Sequence, residues 1–170
     1  MESDEELMEA VARGDERALA SLIDRYAARI HAHLCRMTGD RDDADDLLQE
    51  TWVRVARGAR RFDPTRRVRP WLYGVASNLA RDLYRRRQVR ARAALAEPSA
   101  AAPAAPVEGI DLRERLARLP ERLREVVLLR YYGDLDEAEM AAALGIPRGT
   151  VKSRLHGAIR ELKRGFGDPG

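Results

Sequence analysis

The sequence predicts an all-α protein: two small helical domains, a four-helix unit and a helix-turn-helix unit, joined by a flexible linker. Three observations carry this. Apolar residues recur at i, i+3, i+4 spacing along most of the chain. No segment has both the length and the alternation of a strand. Residues 93–106, AALAEPSAAAPAAP, break the pattern with an alanine- and proline-rich run that has nothing large to bury. The expected boundaries are 1–90 for the first domain, 91–109 for the linker and 110–165 for the second domain.

Each element has its own signals. Ser3 and Glu6 form a capping box ahead of Leu7, Ala10 and Val11, and Gly14 stops that short helix. Asp15 caps a second helix, in which Leu19, Leu22, Ile23, Tyr26, Ile30, Leu34 and Met37 keep one face for five turns until Gly39. Asp42 or Asp43 is expected to cap a third, with Ala44, Leu47, Leu48, Thr51, Trp52 and Val55 inward and Gly58 at its end. Residues 58–69, GARRFDPTRRVR, read as a basic loop with an Asp-Pro turn. Pro70 is expected as the first residue of a fourth helix that buries Leu72, Val75, Ala76, Leu79 and Leu83. Beyond the linker, Leu112, Leu116 and Leu119 line one helix closed by Pro120. Leu123, Val126, Val127, Arg130 and Tyr131 line the next, closed by Gly133. A unit of this size is only marginally stable alone.

Net charge is +3, yet charge is segregated. Residues 40–50 carry five Asp and one Glu against Arg41, a net of −5, whereas residues 81–92 carry six Arg against Asp82, a net of +5. A near-neutral total therefore conceals a basic surface. Of the 31 basic residues 29 are arginine, which suits bidentate phosphate and base contacts but would follow equally from a GC-rich genome. Cys35 is the single cysteine, so no internal disulfide forms and a reducing compartment is expected. No apolar run reaches the ~20 residues that span a bilayer, and the acidic start MESDEELMEA is unlike a signal peptide. A cytoplasmic protein without membrane insertion is expected.

The segment from Pro120 to Lys163 has helix-turn-helix spacing. Ala141 sits where two helices cross closely, Gly145 follows where the turn favours positive φ, and Val151 locks the second helix inward. Met140, Leu144, Ile146 and Leu155 complete that core, and Pro147 starts the second helix. Arg148, Thr150, Lys152, Ser153, Arg154 and His156 then lie near its N-terminal half, the part that reaches base edges in this motif. The competing reading is a plain helical hairpin with a solvated basic face. Glu137 and Glu139 are expected on the outer face of the supporting helix.

DADDLLQETWVRV at 43–55, followed by FDPTRRVRPWLYGVASNLARDLYRRR at 62–87, resembles the second conserved region of bacterial sigma factors. LPERLREVVLLRYYGDLDEAEMAAALGIPRGTVKSRL at 119–155 resembles their fourth region. The chain is identified as a member of the extracytoplasmic-function (ECF) branch of the sigma-70 family. The resemblance implies a factor that binds core RNA polymerase, through the β′ clamp helices and the β subunit, and directs it to promoters. It implies polymerase contact by Asp43, Asp45, Asp46, Leu47, Gln49 and Glu50, where acids beside leucine supply steering and an anchor. It implies that Arg60, Arg61, Phe62, Arg66 and Arg67 capture a flipped base of the melted minus-ten element, with Trp71, Tyr73, Asn78, Arg81, Tyr84, Arg85 and Arg86 lining the strand. Trp71 is the least secure of these, since burial in the core is the more favoured reading for a tryptophan. Pro70-Trp71 stands where larger relatives carry paired strand-wedging aromatics, which implies strict dependence on promoter sequence.

In the fourth region the resemblance assigns Arg148, Thr150, Lys152, Ser153 and Arg154 to the minus-thirty-five duplex. Gly157 stands where relatives often carry a basic residue. An anti-sigma factor is the further partner implied, and the linker would run near the RNA exit path. DNA binding without polymerase should be weak, because two small readers act together only at a fixed separation. A stand-alone helix-turn-helix regulator and a sigma-sequestering partner are the alternatives. The first needs a sensor pocket; the second is opposed by the arginine-rich recognition helix. No enzyme is expected: phosphate-loop, metalloprotease and nucleophile-elbow motifs are absent. No cofactor is expected either, and His31, His33 and Cys35 do not share one helix face as metal ligands would.

Overall fold

The computed structural model describes residues 1–94 and 111–164. In chain order the helices are α1 (Asp4–Ala12), α2 (Glu16–Thr38), α3 (Arg41–Gly58), a 3-10 turn (Ala59–Arg61), α4 (Val68–Ala94), α5 (Leu112–Arg118), α6 (Glu121–Tyr131), α7 (Glu137–Leu144) and α8 (Arg148–Arg164). No strand occurs among the described residues, and no helix among them is long and apolar enough to cross a membrane.

Local chemistry sets the ends. Ser3 and Glu6 make the reciprocal capping box, and the Asp15 carboxylate accepts from the amides of Arg17 and Ala18. Gly39 (φ 72°) closes α2 in the left-handed region that favours glycine. Two starts differ from the sequence reading. Asp40, not Asp42 or Asp43, caps α3, because its extended backbone lets its carboxylate accept from the Asp43 amide at 2.9 Å. Helix α4 begins at Val68, placing Pro70 third, still in the first turn, where a missing N–H leaves no helical bond unmade. It also runs to Ala94, four residues into the stretch assigned to the linker; residues 95–109 of that stretch lie outside the described residues.

Helices α1, α3 and α4 surround α2, whose Leu22, Ile30 and Leu34 are fully buried against Leu7, Met8, Ala44, Val55, Val68 and Leu72. This core does not stop at the linker. It continues into Val126, Leu128, Leu129, Leu135, Met140 and Val151, so the two helical units share one apolar interior. The cause lies in α6. Sequence spacing assigns it one inward stripe ending in Arg130 and Tyr131, yet those two are exposed and the consecutive run Glu125–Leu129 is buried. A helix apolar on several sides has to be covered on several sides. One flank takes Leu116, Leu119 and Ala158 of its own unit, and the other meets α2.

The units approach most closely where α4 crosses α7. A Cβ on Gly74 would fall 2.6 Å from the Ala143 carbonyl oxygen, so only glycine fits. Arg36 of α2 lies over the Tyr132 ring, 4.0 Å from its centroid. Glu139, expected on the outer face of α7, is instead buried in this seam.

His33 is fully buried between α2 and α4, within hydrogen-bond distance of Ser77 Oγ (2.9 Å) and edge-on to Tyr73. Burial, reinforced by Arg36, pulls its pKa from 6.5 down to about 4. The folded protein thus holds His33 neutral, while the unfolded chain takes up a proton below pH 6.5. This contribution is complete above 6.5 and lost as pH falls toward 4. Glu125, raised to about 7 by burial, acts with opposite sign, favouring the fold at low pH and losing that contribution as pH rises through 7. Urea unfolding of wild type and His33→Gln isolates the histidine. Between about pH 7.5 and about pH 5 the wild type should lose ~2 kcal/mol relative to the variant; parallel pH profiles would show that His33 does not titrate as described.

Candidate nucleic-acid interface

Helix α3 presents an acidic ridge. Asp45, Asp46, Gln49 and Glu50 are exposed, and the last pairs with Arg54 at 3.0 Å. Asp45 is 2.6 Å from His31 Nε2, and Cys35 Sγ lies 3.8 Å from the same ring. His33 points away to Ser77. Asp43 is only 18 % exposed because Arg87, from the far end of α4, covers it at 2.7 Å. Leu47 is corrected here: it faces the core at 7 % exposure, and half-buried Leu48 is the apolar side chain beside the acids.

The chain then turns through Phe62–Arg67. The Asp63 carboxylate accepts from the amide and hydroxyl of Thr65 (2.9 and 2.7 Å), which lowers its pKa and fixes the turn. Arg60, Arg61, Arg66 and Arg67 are exposed around it. Beneath them Phe62 and Trp71 meet edge to face at 4.9 Å, both half-buried. Trp71 is therefore neither fully core nor free: it packs on Gly58 and lines a shallow groove with Arg66, Arg67 and Pro70. A second open groove of about 550 Å³ lies between this loop, Asp4, Tyr26, Arg69 and Glu139.

Along α4 the predicted strand-lining residues divide. Asn78, Tyr84, Arg85 and Arg86 are exposed. Tyr73 is corrected: it is 1 % exposed with its ring against His33, so it supports the helix and does not reach a ligand. Arg81, hydrogen-bonded to Asn78, is only 24 % exposed because Glu125 of α6 faces its Nε at 3.3 Å. Two further arginine contacts cross the seam. Arg67 and Arg69 both pair with Glu139, at 3.4 and 3.1 Å, and Arg69 also donates to the Asp134 carbonyl at 3.0 Å.

The second unit holds the helix-turn-helix. Asp136 and Glu139 form a capping box at the start of α7, and the hydrogen bond that the Glu139 amide donates to the Asp136 carboxylate lowers the Asp136 pKa. Gly145 (φ 64°) makes the turn, and Val151 is fully buried. Arg148, Lys152, Ser153 and His156 project outward from α8, whereas Thr150 and Arg154 are half-buried. Glu137 lies 3.7 Å from Lys152 and 4.0 Å from Arg148, holding both loosely. Gly157 faces Leu123 of α6, 3.7 Å from where its Cβ would be.

Sequence reading missed Arg69, Gly74, Glu125 and the inward face of Glu139. Glu125 left a trace, a lone acid opening the apolar run EVVLL. Gly74 left none, since its meaning depends on the helix across from it.

Comparison with known proteins agrees with this layout. The Sigma-70 region 2 family model matches residues 22–90, and the Sigma-70 region 4 model matches residues 110–162. The ECF RNA polymerase sigma factor SigW of Bacillus subtilis (strain 168) is 30% identical, over 93% of this chain and 94% of its own length. The RNA polymerase sigma factor CarQ of Myxococcus xanthus is 34% identical, over 95% and 96%. Among solved structures, CnrH in complex with the cytosolic domain of CnrY superposes with a TM-score of 0.73 at 28% identity, covering 96% of each chain. With both regions matched in order across one helical chain, this protein belongs to the extracytoplasmic-function branch of the sigma-70 family.

Proposed function

We propose that this sigma factor divides its work between the surfaces described above. It binds core RNA polymerase, directs it to specific promoters and promotes duplex opening. The first unit, 1–90, docks on the polymerase through the ridge of Asp45, Asp46, Gln49 and Glu50, with Asp43 and Leu48 at its edge. The same unit takes the minus-ten strand on Arg60, Arg61, Phe62, Arg66, Arg67 and Trp71 and along Asn78, Arg81, Tyr84, Arg85 and Arg86. The second unit, 110–165, reads the minus-thirty-five duplex with the outward side of α8. The observation that carries this reading is the juxtaposition in one unit of an exposed acidic ridge on α3 and a basic loop set over the Phe62–Trp71 pair. The ridge offers a protein its charge and an apolar neighbour. The loop offers an unpaired strand phosphate neutralisation and an aromatic platform. A stand-alone regulator has no use for the first of these.

The protein works where polymerase and chromosome are, in the cytoplasm, and performs no chemistry itself. CnrH has been solved with the cytosolic domain of CnrY bound, and an anti-sigma polypeptide is the corresponding partner proposed here.

In vitro transcription with core polymerase is the direct test. Added protein should start RNA at defined sites, and the mapped start points should share upstream sequence; active protein that binds core enzyme yet directs no initiation at a mapped promoter would reject the reading. Replacing Asp46 and Gln49 together by alanine should weaken core binding by about tenfold or more, a loss of roughly 1.4 kcal/mol, while helical content stays unchanged. Lys152→Ala and Arg154→Ala should each cost about 1–3 kcal/mol in recognition of the minus-thirty-five duplex. Start-site choice that is unaltered in both variants would show that α8 is not the reading helix.

A further inference from the structure

We infer that Lys152 is a site of covalent acylation by small acyl phosphates, and that this modification switches off minus-thirty-five reading while leaving polymerase docking intact. The inference rests on the proposed assignment of that duplex to α8. Its first ground is chemical. Of 31 basic side chains 29 are arginines, and the two lysines are Lys152 and Lys163. A guanidinium stays protonated and does not take an acyl group, whereas a lysine amine does. Acyl chemistry therefore passes over the arginines of the first unit and has two side-chain targets, both on α8. Position separates these two. Lys163 lies in the last turn, eleven residues further on and so roughly 16 Å along the axis. Lys152 stands in the second turn, 62 % exposed at its side chain, where Arg148, Ser153 and His156 also project outward.

The surroundings of Lys152 suit an anionic acyl donor. Glu137 Oε2 lies 3.7 Å from Lys152 Nζ and 4.0 Å from a terminal nitrogen of Arg148. Amine and guanidinium thus flank one carboxylate oxygen. Arg148 holds the phosphoryl end of an acyl phosphate as it would a DNA phosphate, which leaves the amine beside the acyl carbon. The Glu137 carboxylate is within reach to take the ammonium proton and pass it to water. The free amine then attacks the acyl carbon, a C–N bond forms, and the C–O bond to the phosphate breaks. Phosphate departs with the bonding pair and takes the second proton from nitrogen. Nothing is oxidised or reduced. The product is a neutral amide with one N–H donor in place of an ammonium with three. Acylated α8 has lost a cation that reads a guanine edge or holds a phosphate. The acidic ridge on α3 contains no lysine, so core binding is untouched, and the modified holoenzyme forms but selects promoters poorly.

Acetyl phosphate and the full-length chain provide the test. Lys163→Arg leaves Lys152 as the single side-chain amine. Treated with acetyl phosphate, this variant should gain acetylation at Lys152, located by peptide mass spectrometry. Its holoenzyme should then bind a duplex carrying the minus-thirty-five element about tenfold more weakly, with affinity for core polymerase unchanged. Lys152→Arg/Lys163→Arg, compared before and after treatment, should lose nothing. In the wild type, bound promoter duplex should protect Lys152 and not Lys163. Arg148→Ala should slow acetylation at Lys152 and leave the rate at Lys163 as it was. A Lys152 that resists acetyl phosphate, or labels at a rate indifferent to Arg148→Ala, would overturn the acceptor site. Acetylated Lys152 with undiminished duplex binding would overturn the switch. Loss of binding in the lysine-free chain would do the same, by placing the damage elsewhere. Lys152→Ala in the same binding assay separates the two readings: if it weakens the duplex complex, the α8 assignment stands whatever acetylation does, and if it does not, that assignment falls first.

Discussion

Helix α4 must satisfy two sets of neighbours along a single length, and the remaining architecture accommodates that constraint. One side carries Leu72, Ala76 and Leu79 into the interior under α2, and His33 sits against it through Ser77 and Tyr73. Another side carries Gly74 and Arg81 to the seam with α6 and α7. A helix with so much of its circumference covered has small residues where backbones meet: Gly74, Ala76, Ser77 and Ala80 are all buried. The first unit therefore presents a stiff rod whose free remainder is almost wholly polar, from Asn78 through Arg86.

Much of this was legible from residues alone because local rules and tertiary packing agree there. The caps at Ser3 and Asp15, the stop at Gly39 and the turn at Gly145 are decided within a few residues, and each stands where spacing put it. Disagreement appears where a partner distant in sequence intervenes. Asp43 looks like a cap, but Asp40 takes that role and Asp43 is covered by Arg87 from 44 residues away. Tyr73 looks like a strand-facing aromatic in a basic helix, yet its ring is buried edge-on against His33. Glu139 reads as a surface acid because periodicity within α7 carries no information about α4. Loop residues were the easiest to place. The turn at Asp63–Thr65 depends only on its own side chains, and of the arginines around it Arg60, Arg61 and Arg66 are exposed while Arg67 also pairs with Glu139.

The seam adds a second kind of contact to the apolar interior that the two units share. Within each unit aliphatic side chains fill space, and energy scales with apolar area. Across the seam, carboxylates meet arginines, a cation lies on a tyrosine ring, and one backbone touches another at a glycine. Such contacts depend on geometry and ionic conditions more than on area.

The tie between Asp43 and Arg87 has a genetic consequence. It joins the base of the acidic ridge on α3 to the basic tail of α4 through one short contact. A change at either position releases a charge on the other surface, so single substitutions there will have mixed effects that resist assignment to one ligand. Alleles at the two positions should behave epistatically, and second-site suppressors of a defect at Asp43 are to be sought on a helix that never approaches it in the linear sequence.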